Sequence, residues 1–390
     1  PRTEVIIANP AGIQVDGGGF INVNRATLTT GTPQFNAQGG LDSFVVRGGT
    51  VSIDGAGLDA SKTDYAAILA RAVQVNAGIW ANELKVVTGA NQVSADSSQA
   101  SPTAGNGAAP SFALDVAALG GMYAGKITLV GTEAGVGVRN AGHIGAGAGG
   151  LVVTAAGRLE NTGTLEGAKV ELRSASDIDN RGGTIRQAGT REISVTAPVL
   201  SNTNGGVIGA EPVAATDAAS GTPSTGTGAT GTGTTPTTST TAGTTTTAGI
   251  TEATPLQPAA ATGSGAIAAT GSVLNDGGHI YAGGEIALNT PRIDNTGGSL
   301  SVGTMAVTGD RFSNAGGTLN VGHDFSANVG KRRECRRRGH HERCRPDCSD
   351  WQKRGRSYRS PEPGHGQCSK LGATAGRGGD AEGGASATDH

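Results

Sequence analysis

The stretch LENTGTLEGAKVELRSASDIDNRGGTI at residues 159–185 decides the fold, because it holds two copies of one short pattern. In each copy an apolar residue, any residue and an asparagine are followed by one or two glycines and another apolar residue. The asparagine recurs at intervals of 21, 19 and 22 residues, and after an interruption at intervals of 20 and 19 residues. Such regular recurrence is typical of proteins built from stacked units. The asparagines are Asn140, Asn161, Asn180, Asn202, Asn275, Asn295 and Asn314.

Within each repeat the apolar residues alternate with other residues. Val170 and Leu172 lie two positions apart, as do Ile193 and Val195. This spacing is typical of strands with one buried face. A unit of three such strands cannot bury its own apolar face, but stacked units form a continuous core. The pattern therefore predicts an all-β protein, a parallel β-helix with one coil per ~20 residues and coils about 4.8 Å apart.

The repeated asparagine has a structural role in such a coil. Asparagine tolerates left-handed backbone conformation, and its amide bonds neighbouring backbone groups at turns. Stacked in register, the amides are expected to form a hydrogen-bonded ladder. We prefer this interpretation to one in which the asparagines bind sugar or metal.

Composition excludes several other classes of protein. Of 390 residues, 67 are Gly, 15 are Pro and only 3% are aromatic. This much glycine disfavours helical bundles, and glycine at every third position, which collagen needs, is absent. No apolar run reaches the roughly 20 residues of a membrane-spanning helix.

The net charge of −2 combines two regions of opposite sign. Residues 331–390 contain 14 Lys/Arg and 8 Asp/Glu, and residues 1–330 contain 16 and 24. All four cysteines also lie in the basic segment. A cysteine-free acidic rod suits a secreted chain that crosses an oxidising compartment before it folds.

The N-terminal region contains a series of specific motifs. Residues 9–33 read NPAGIQVDGGGFINVNRATLTTGTP, followed by ARAVQVNAGIWA at 70–81 and VTGANQV at 87–93. In this order they resemble the secretion domain of two-partner secretion exoproteins, the filamentous haemagglutinin family. The resemblance implies a right-handed β-helix and recognition by an outer-membrane transporter with periplasmic POTRA modules. Family members act as adhesins, haemolysins or stalks of contact-dependent growth inhibition toxins.

By this resemblance, Asn9, Pro10 and Gly12 match the family's Asn-Pro-Asn-Gly secretion motif, from which Ala11 departs. Read from the residues alone, Asn-Pro begins a turn and Pro rigidifies it. The motif therefore either shapes the fold or contacts the transporter, and both roles are compatible. The chain opens in a strand-like run with no signal peptide, and the family's companion motif is absent. We therefore expect the chain to be a fragment that lacks its native start.

The chain divides into five segments in this interpretation. An N-terminally incomplete secretion domain covers residues 1–130, and β-helix repeats cover 131–211 and 272–330. Between the repeats, residues 212–271 are rich in Thr and Gly and predict a flexible linker, with a glycan-modified stalk as the alternative. Residues 331–390 predict a disordered basic tail.

The tail begins KRRECRRRGHHERC at residue 331. Cys344 and Cys348 with nearby His340 and His341 suggest a zinc site, and the arginines suggest a nucleic-acid patch. Neither matches a recognised ligand spacing. We favour out-of-frame translation of GC-rich DNA, because the repeat stops abruptly.

Two further features bear on function. The segment from Asp64 to Trp80 is predicted mostly as strand, with Trp80 in the core or at a coil edge rather than on a ligand platform. Asp54, Asp59 and Asp64 are the candidate Ca²⁺ ligands if the β-helix is a polysaccharide lyase, but their spacing is more simply explained by turns.

The sequence therefore predicts a secreted, non-enzymatic adhesin fragment of the filamentous haemagglutinin kind, which attaches to host cells or surfaces. The alternatives are a stalk for a contact-dependent inhibition toxin or a haemolysin-type exoprotein. The expected partners are the transporter and an undefined host glycan or protein receptor, with no cofactor, metal, nucleic acid or membrane insertion. The expected location is outside the cell or on the bacterial surface.

Overall fold

The structure is a computed structural model that describes residues 3–188, 192–209 and 263–330, and the backbone of residues 356–359. Over these residues it contains strands and no helix, and hence no helix suited to crossing a membrane. The strands wind into a parallel β-solenoid of about 13 turns. The predicted all-β, parallel β-helix fold is confirmed.

Thirteen strands form the N-terminal part, where the coils are least regular. Four of them leave the solenoid to form a separate sheet, described below. The strands are β1 (Thr3–Ala8), β2 (Ile13–Gly19), β3 (Val23–Thr29), β4 (Thr32–Phe35), β5 (Leu41–Val46), β6 (Thr50–Ala60), β7 (Tyr65–Ala70), β8 (Ala72–Val75), β9 (Gly78–Thr88), β10 (Asn91–Ser94), β11 (Ala100–Pro102), β12 (Phe112–Val116) and β13 (Gly121–Gly131).

The remaining strands follow the repeat. Those before the interruption are β14 (Gly137–Asn140), β15 (His143–Ala155), β16 (Leu159–Asn161), β17 (Thr164–Gly167), β18 (Val170–Ser174), β19 (Ile178–Asp179), β20 (Thr184–Gln187), β21 (Ile193–Ser201) and β22 (Val207–Ile208). Those after it are β23 (Gly265–Leu274), β24 (His279–Asn289), β25 (Arg292–Asp294), β26 (Ser299–Gly309), β27 (Arg311–Ser313), β28 (Thr318–Val321), β29 (Phe325–Val329) and β30 (Arg356–Arg359).

The coils stack into three parallel sheets. Stack I begins at β1, continues through β3, β7 and β18, and ends at β29. Stack II begins at β2, continues through β6, β8, β12 and β14, and ends at β27. Stack III contains the first halves of β9, β13 and β15 and ends at β28. Long strands such as β13 turn a corner and belong to two stacks. The three stacks enclose one continuous apolar core.

The core is built from columns of equivalent residues, one per coil. In stack III the column contains only large aliphatic side chains, each at most 5% exposed. Burying each of them contributes about 1.5–3 kcal/mol relative to exposure. The column consists of Ile79, Met122, Ile144, Leu165, Ile185, Ile208, Ile280, Leu300 and Leu319.

A four-stranded antiparallel sheet covers the outside of stack I near the N-terminus. It has the order β11-β10-β5-β4. Phe44 and Val93 of this sheet pack with Leu69 and Val87 of stack I in a second, separate apolar cluster. Stack I is therefore buried on both faces here, which explains why β7 reads as the unbroken apolar run YAAILA.

The segment from Asp64 to Trp80 forms strands β7 and β8 and the start of β9, as the alternating apolar residues predict. Trp80 was expected in the core or at a coil edge rather than on a ligand platform, and it does not lie in the core. Its side chain points outward from stack III and is 42% exposed. The inward positions on either side belong to Ile79 and Ala81, so alternation forces Trp80 to the surface.

The repeats on the two sides of the interruption form one solenoid. Strand β21 pairs in parallel with β23, so coils that are distant in sequence are direct neighbours. Strand β23 begins at Gly265, within the predicted linker of 212–271, where Ile267 and Ala269 are buried. Residues 212–262 of that linker lie outside the described residues.

Of the tail 331–390, only the backbone of β30 is described. It pairs antiparallel with β28, at the C-terminal edge of stack III. The predictions for the remaining tail residues, including Cys344, Cys348, His340 and His341, fall outside the described part of the chain.

Candidate functional site

The predicted secretion motif forms the turn between β1 and β2 in the first coil. The Asn9 side chain accepts a hydrogen bond from the Ala11 amide at 3.2 Å, and the Gly12 amide donates to the Asn9 carbonyl at 3.0 Å. The Asn9 amide donates to the Thr29 carbonyl of the next coil at 2.9 Å. A backbone hydrogen bond thus anchors the turn to the solenoid, and the Asn9 side chain closes the turn.

The residues of this motif divide into two roles. Gly12 has φ +135°, and a Cβ at this position would lie 3.0 Å from the Thr50 carbonyl oxygen. Only glycine fits this backbone and this approach without strain. Asn9 and Pro10 are exposed. Gly12 therefore shapes the fold, whereas Asn9 and Pro10 present an accessible surface.

A buried ion pair fixes the N-terminal coils. Arg71 donates from Nε to Glu133 Oε2 at 3.1 Å and from Nη2 to Oε1 at 2.8 Å. Its Nη1 donates to the Asn106 carbonyl, and the Ala90 amide donates to Glu133 Oε2 at 3.0 Å. The hydrogen bond from Arg71 lowers the pKa of the Glu133 carboxyl below its ordinary value. We call the four residues Arg71, Ala90, Asn106 and Glu133 the clamp.

The sequence does not predict the clamp, because nothing in a single sequence links an arginine to a glutamate 62 residues away. It joins the corner after β7 to the segment before β10 and to the segment after β11, and both of these strands belong to the four-stranded sheet. It therefore secures that sheet and its loops to the solenoid.

The seven repeat asparagines lie in one column at the end of stack II. The Nδ2 of each of the first six donates to the Oδ1 of the asparagine in the next coil, at 2.8, 2.7, 2.7, 2.6, 2.6 and 2.5 Å from Asn140 to Asn314. Six of these residues are at most 1% exposed. The bond between Asn202 and Asn275 spans the interruption. The asparagine ladder is thus continuous and has one direction.

Each asparagine also closes its own turn. Asn180 Nδ2 donates to the Gly183 carbonyl at 3.0 Å and to the Val207 carbonyl of the next coil at 3.1 Å. Gly183 lies so near the previous coil that a Cβ there would meet the Asn161 carbonyl oxygen at 2.2 Å. The glycine that follows the asparagine therefore permits the close stacking on which the ladder depends.

The ladder begins abruptly at Asn140. In register with it, the four preceding coils carry Val116, Val75, Ile53 and Val15. Asn140 Oδ1 is consequently buried without a hydrogen-bond partner. The same backbone position is thus apolar in the first coils and polar in the later ones.

The three aspartates considered as Ca²⁺ ligands are each held by their own neighbours. Asp54 accepts hydrogen bonds from Ser52 and Asn76, each at 2.7 Å. Asp59 accepts from Ser61 at 2.6 Å, and Asp64 accepts from an asparagine side chain at 2.9 Å. Among the described residues, no group of three or more His, Cys, Asp or Glu is arranged to hold a metal ion.

The comparison with known families matches this architecture. Residues 2–161 match the model of the TPS secretion domain. Over these residues the chain is a TPS secretion domain. The matched segment contains the motif turn, the four-stranded sheet, the clamp and the first two asparagines of the ladder.

Several relatives of the chain are much longer proteins. It is 52% identical over 183 residues to "Toxin CdiA" of Yersinia pestis, which covers 46% of this chain and 6% of that protein. It is 52% identical over 165 residues to "tRNA nuclease CdiA-2" of Burkholderia pseudomallei, covering 42% of this chain and 5% of that protein. The chain therefore spans only about one-twentieth of the length of these relatives.

Among solved structures, the chain is similar to the filamentous hemagglutinin secretion domain. That crystal structure is 29% identical and has a TM-score of 0.39, covering 52% of this chain and 65% of the other.

Proposed function

We propose that this chain is the export and stalk region of a cell-surface exoprotein of the CdiA kind. The observation that carries the proposal is the 52% identity to a protein named "Toxin CdiA" over the N-terminal coils. The continuous solenoid supports it, because a rod of stacked coils suits a stalk that holds a distal segment away from the cell surface. The nuclease activities named for the relatives are not assigned to these coils, which we propose to be non-enzymatic.

The motif turn is the proposed contact with the transporter's periplasmic POTRA modules. Asn9 and Pro10 are exposed, and Gly12 holds the turn that presents them. Folding can then follow export coil by coil, because each completed coil offers open strand edges and apolar surface to the next. Secretion releases the rod outside the cell or leaves it on the bacterial surface.

Secretion with a co-expressed two-partner secretion transporter tests this role. We expect the double variant N9A/P10A to keep its unfolding free energy within about 0.5 kcal/mol, because both side chains are exposed. We expect its secreted amount to fall by about tenfold or more. The matched control is N36A, since Asn36 closes a similar exposed turn by accepting from the amides of Gln38 and Gly40 at 3.0 and 2.9 Å. Normal secretion of the double variant would contradict the contact.

A second candidate is an adhesin that attaches to host cells or surfaces by the rod itself. It is favoured by exposed aromatic side chains on stack III, because such side chains are common at recognition surfaces. Growth competition against sensitive bacteria separates the candidates. A strain that expresses the complete locus inhibits its neighbours if the chain is a toxin stalk, and attaches to host cells without inhibiting neighbours if it is an adhesin.

A further inference from the structure

An outward-facing column of stack III carries two large aromatic side chains. In register from coil to coil it consists of Asp59, Trp80, Tyr123, Gly145 and Glu166. Trp80 is 42% exposed and Tyr123 is 38% exposed. We call Trp80 and Tyr123 the aromatic strip.

The rings of the aromatic strip lie flat against the solenoid. Each ring folds back over the glycine two residues earlier in its own strand. A Cβ at Gly78 would lie 2.4 Å from Trp80 Cη2, and a Cβ at Gly121 would lie 2.8 Å from Tyr123 Cε2. Backbone without Cβ atoms therefore forms the floor beneath both rings, and the opposite ring faces point to solvent.

The two rings form one nearly flat surface. Their centroids are 6.3 Å apart and their planes differ by 18°. Because each ring is fixed against sheet backbone, little side-chain entropy remains to be lost when a ligand binds. The spacing is comparable to the length of one unit in a linear chain of pyranose sugars.

Polar groups border the strip at both ends. At one end Asp59 accepts both hydrogen bonds from Ser61 on the same oxygen, Oδ1. At the other end the ring of His143 meets that of Tyr123 edge-on, with centroids 5.4 Å apart. His143 Nε2 lies 3.6 Å from Glu166 Oε2, and Arg186 also pairs with Glu166. Carboxylates thus stand at both ends of the apolar surface.

We propose that the aromatic strip binds a neutral oligosaccharide, with one pyranose ring on Trp80 and the next on Tyr123. The C–H face of a pyranose packs on the electron-rich face of an aromatic ring, and its equatorial hydroxyls donate to flanking carboxylates. Asp59 Oδ2 is the principal acceptor. Sulfated, sialylated and uronic-acid glycans bind more weakly, because their charge repels the exposed Asp59 carboxylate. This binding does not depend on the proposed export contact, which lies on another turn of the solenoid.

Fluorescence of Trp80 provides the test. The chain has two tryptophans, so the full chain with W351F reports Trp80 alone. We expect saturable changes in emission with chitohexaose or cellohexaose, and a response at least about tenfold weaker with a heparin hexasaccharide. Binding by calorimetry is expected to weaken about tenfold or more in Y123A and W80A, and less in Y123F and W80F, which keep a ring face.

Phe35 supplies the matched control, because it is an exposed aromatic on the four-stranded sheet, at 66% exposure. F35A is expected to bind the neutral sugars as the parent chain does, and D59N is expected to weaken binding. The proposal is overturned if neither neutral hexasaccharide binds, or if Y123A and D59N bind as well as F35A. It is equally overturned if the sugars do not bind and W80A instead reduces secretion, since the strip would then contact a protein.

Discussion

The N-terminal region (residues 3–136) and the repeat rod (the described residues of 137–330) share one backbone path but are stabilised differently. In stack II the N-terminal region carries Val116 and three other aliphatic residues where the rod carries asparagines. The N-terminal region adds an outer sheet and a buried Arg71–Glu133 pair, with side chains 7% and 16% exposed. The described part of the rod has no such outer sheet.

This difference shows how a solenoid can have a defined coil register and still be extended by further repeats. Irregular coils are fixed by contacts that occur once, such as the clamp, whereas regular coils are fixed by a contact that recurs in each repeat. An apolar column tolerates sliding of one coil against the next, but a buried amide must meet its partner. The asparagine ladder therefore sets the register of the rod.

Breaking the ladder in its middle has the largest expected effect. N180V removes an amide that is 0% exposed and leaves Asn161 Nδ2, Asn202 Oδ1 and the carbonyls of Gly183 and Val207 without that partner. We expect a loss of about 4 kcal/mol, because each buried unsatisfied group costs roughly 1–3 kcal/mol. Hydrogen exchange should show the loss in the rod coils next to residue 180.

Val75 supplies the control, because it lies in the same column of stack II as Asn180. V75I changes the equivalent column in the N-terminal region, where no amide is present, and should cost about 1–3 kcal/mol, less than N180V. If N180V and V75I have similar effects, the ladder does not set the register of the rod.

Breaking the clamp is expected to have the next largest effect, confined to the N-terminal region. R71M leaves Glu133 buried without its partner, which costs about 3 kcal/mol. Exchange protection should fall in β5 and β10 and stay unchanged in β16 and β19. Loss of protection across the rod would show that the two regions unfold as one unit.

The loss of stability in R71M is expected to depend on pH, because the folded-state pKa of Glu133 is lowered below 4.5. Such a group stabilises the fold above its unfolded-state pKa, and the stabilisation is lost as the pH falls through the folded-state pKa. The difference in denaturant midpoint between the parent chain and R71M should therefore be full at about pH 7 and shrink below about pH 4. E133Q should remove this dependence, and an equally pH-dependent midpoint in E133Q would contradict the assignment.

Shortening the ladder from its N-terminal end has the smallest expected effect. N140V moves the unpaired Oδ1 from Asn140 to Asn161 without adding another, and places an aliphatic side chain against Val116. The bonds from Asn140 Nδ2 to Asn161 Oδ1 and to the carbonyls of Gly142 and Thr164 are lost. We expect a cost of about 1 kcal/mol by urea unfolding. A cost equal to that of N180V would mean that position along the ladder is unimportant.

The rod was more predictable from the sequence than the N-terminal region. The spacing of Asn140 and its six equivalents predicts coils of the right length, because a recurring contact leaves a recurring signal. The partnership of Arg71 with Glu133 occurs once and leaves no such signal. Trp80 was expected in the core or at a coil edge. The sequence alone does not show whether Ile79 or Trp80 faces inward, because that depends on how the coils pair with one another.

The hydrogen bond between Asn202 and Asn275 has a consequence for how the chain can be divided. Strands β21 and β23 are paired and Asn202 bonds Asn275, although residues 210–262 separate these strands in the sequence. A protease that cuts within this segment should release no fragment, since β21–β23 pairing and the ladder still join the two parts. We therefore expect a chain cut, or extended by a foreign sequence, between residues 210 and 262 to behave as a single rod.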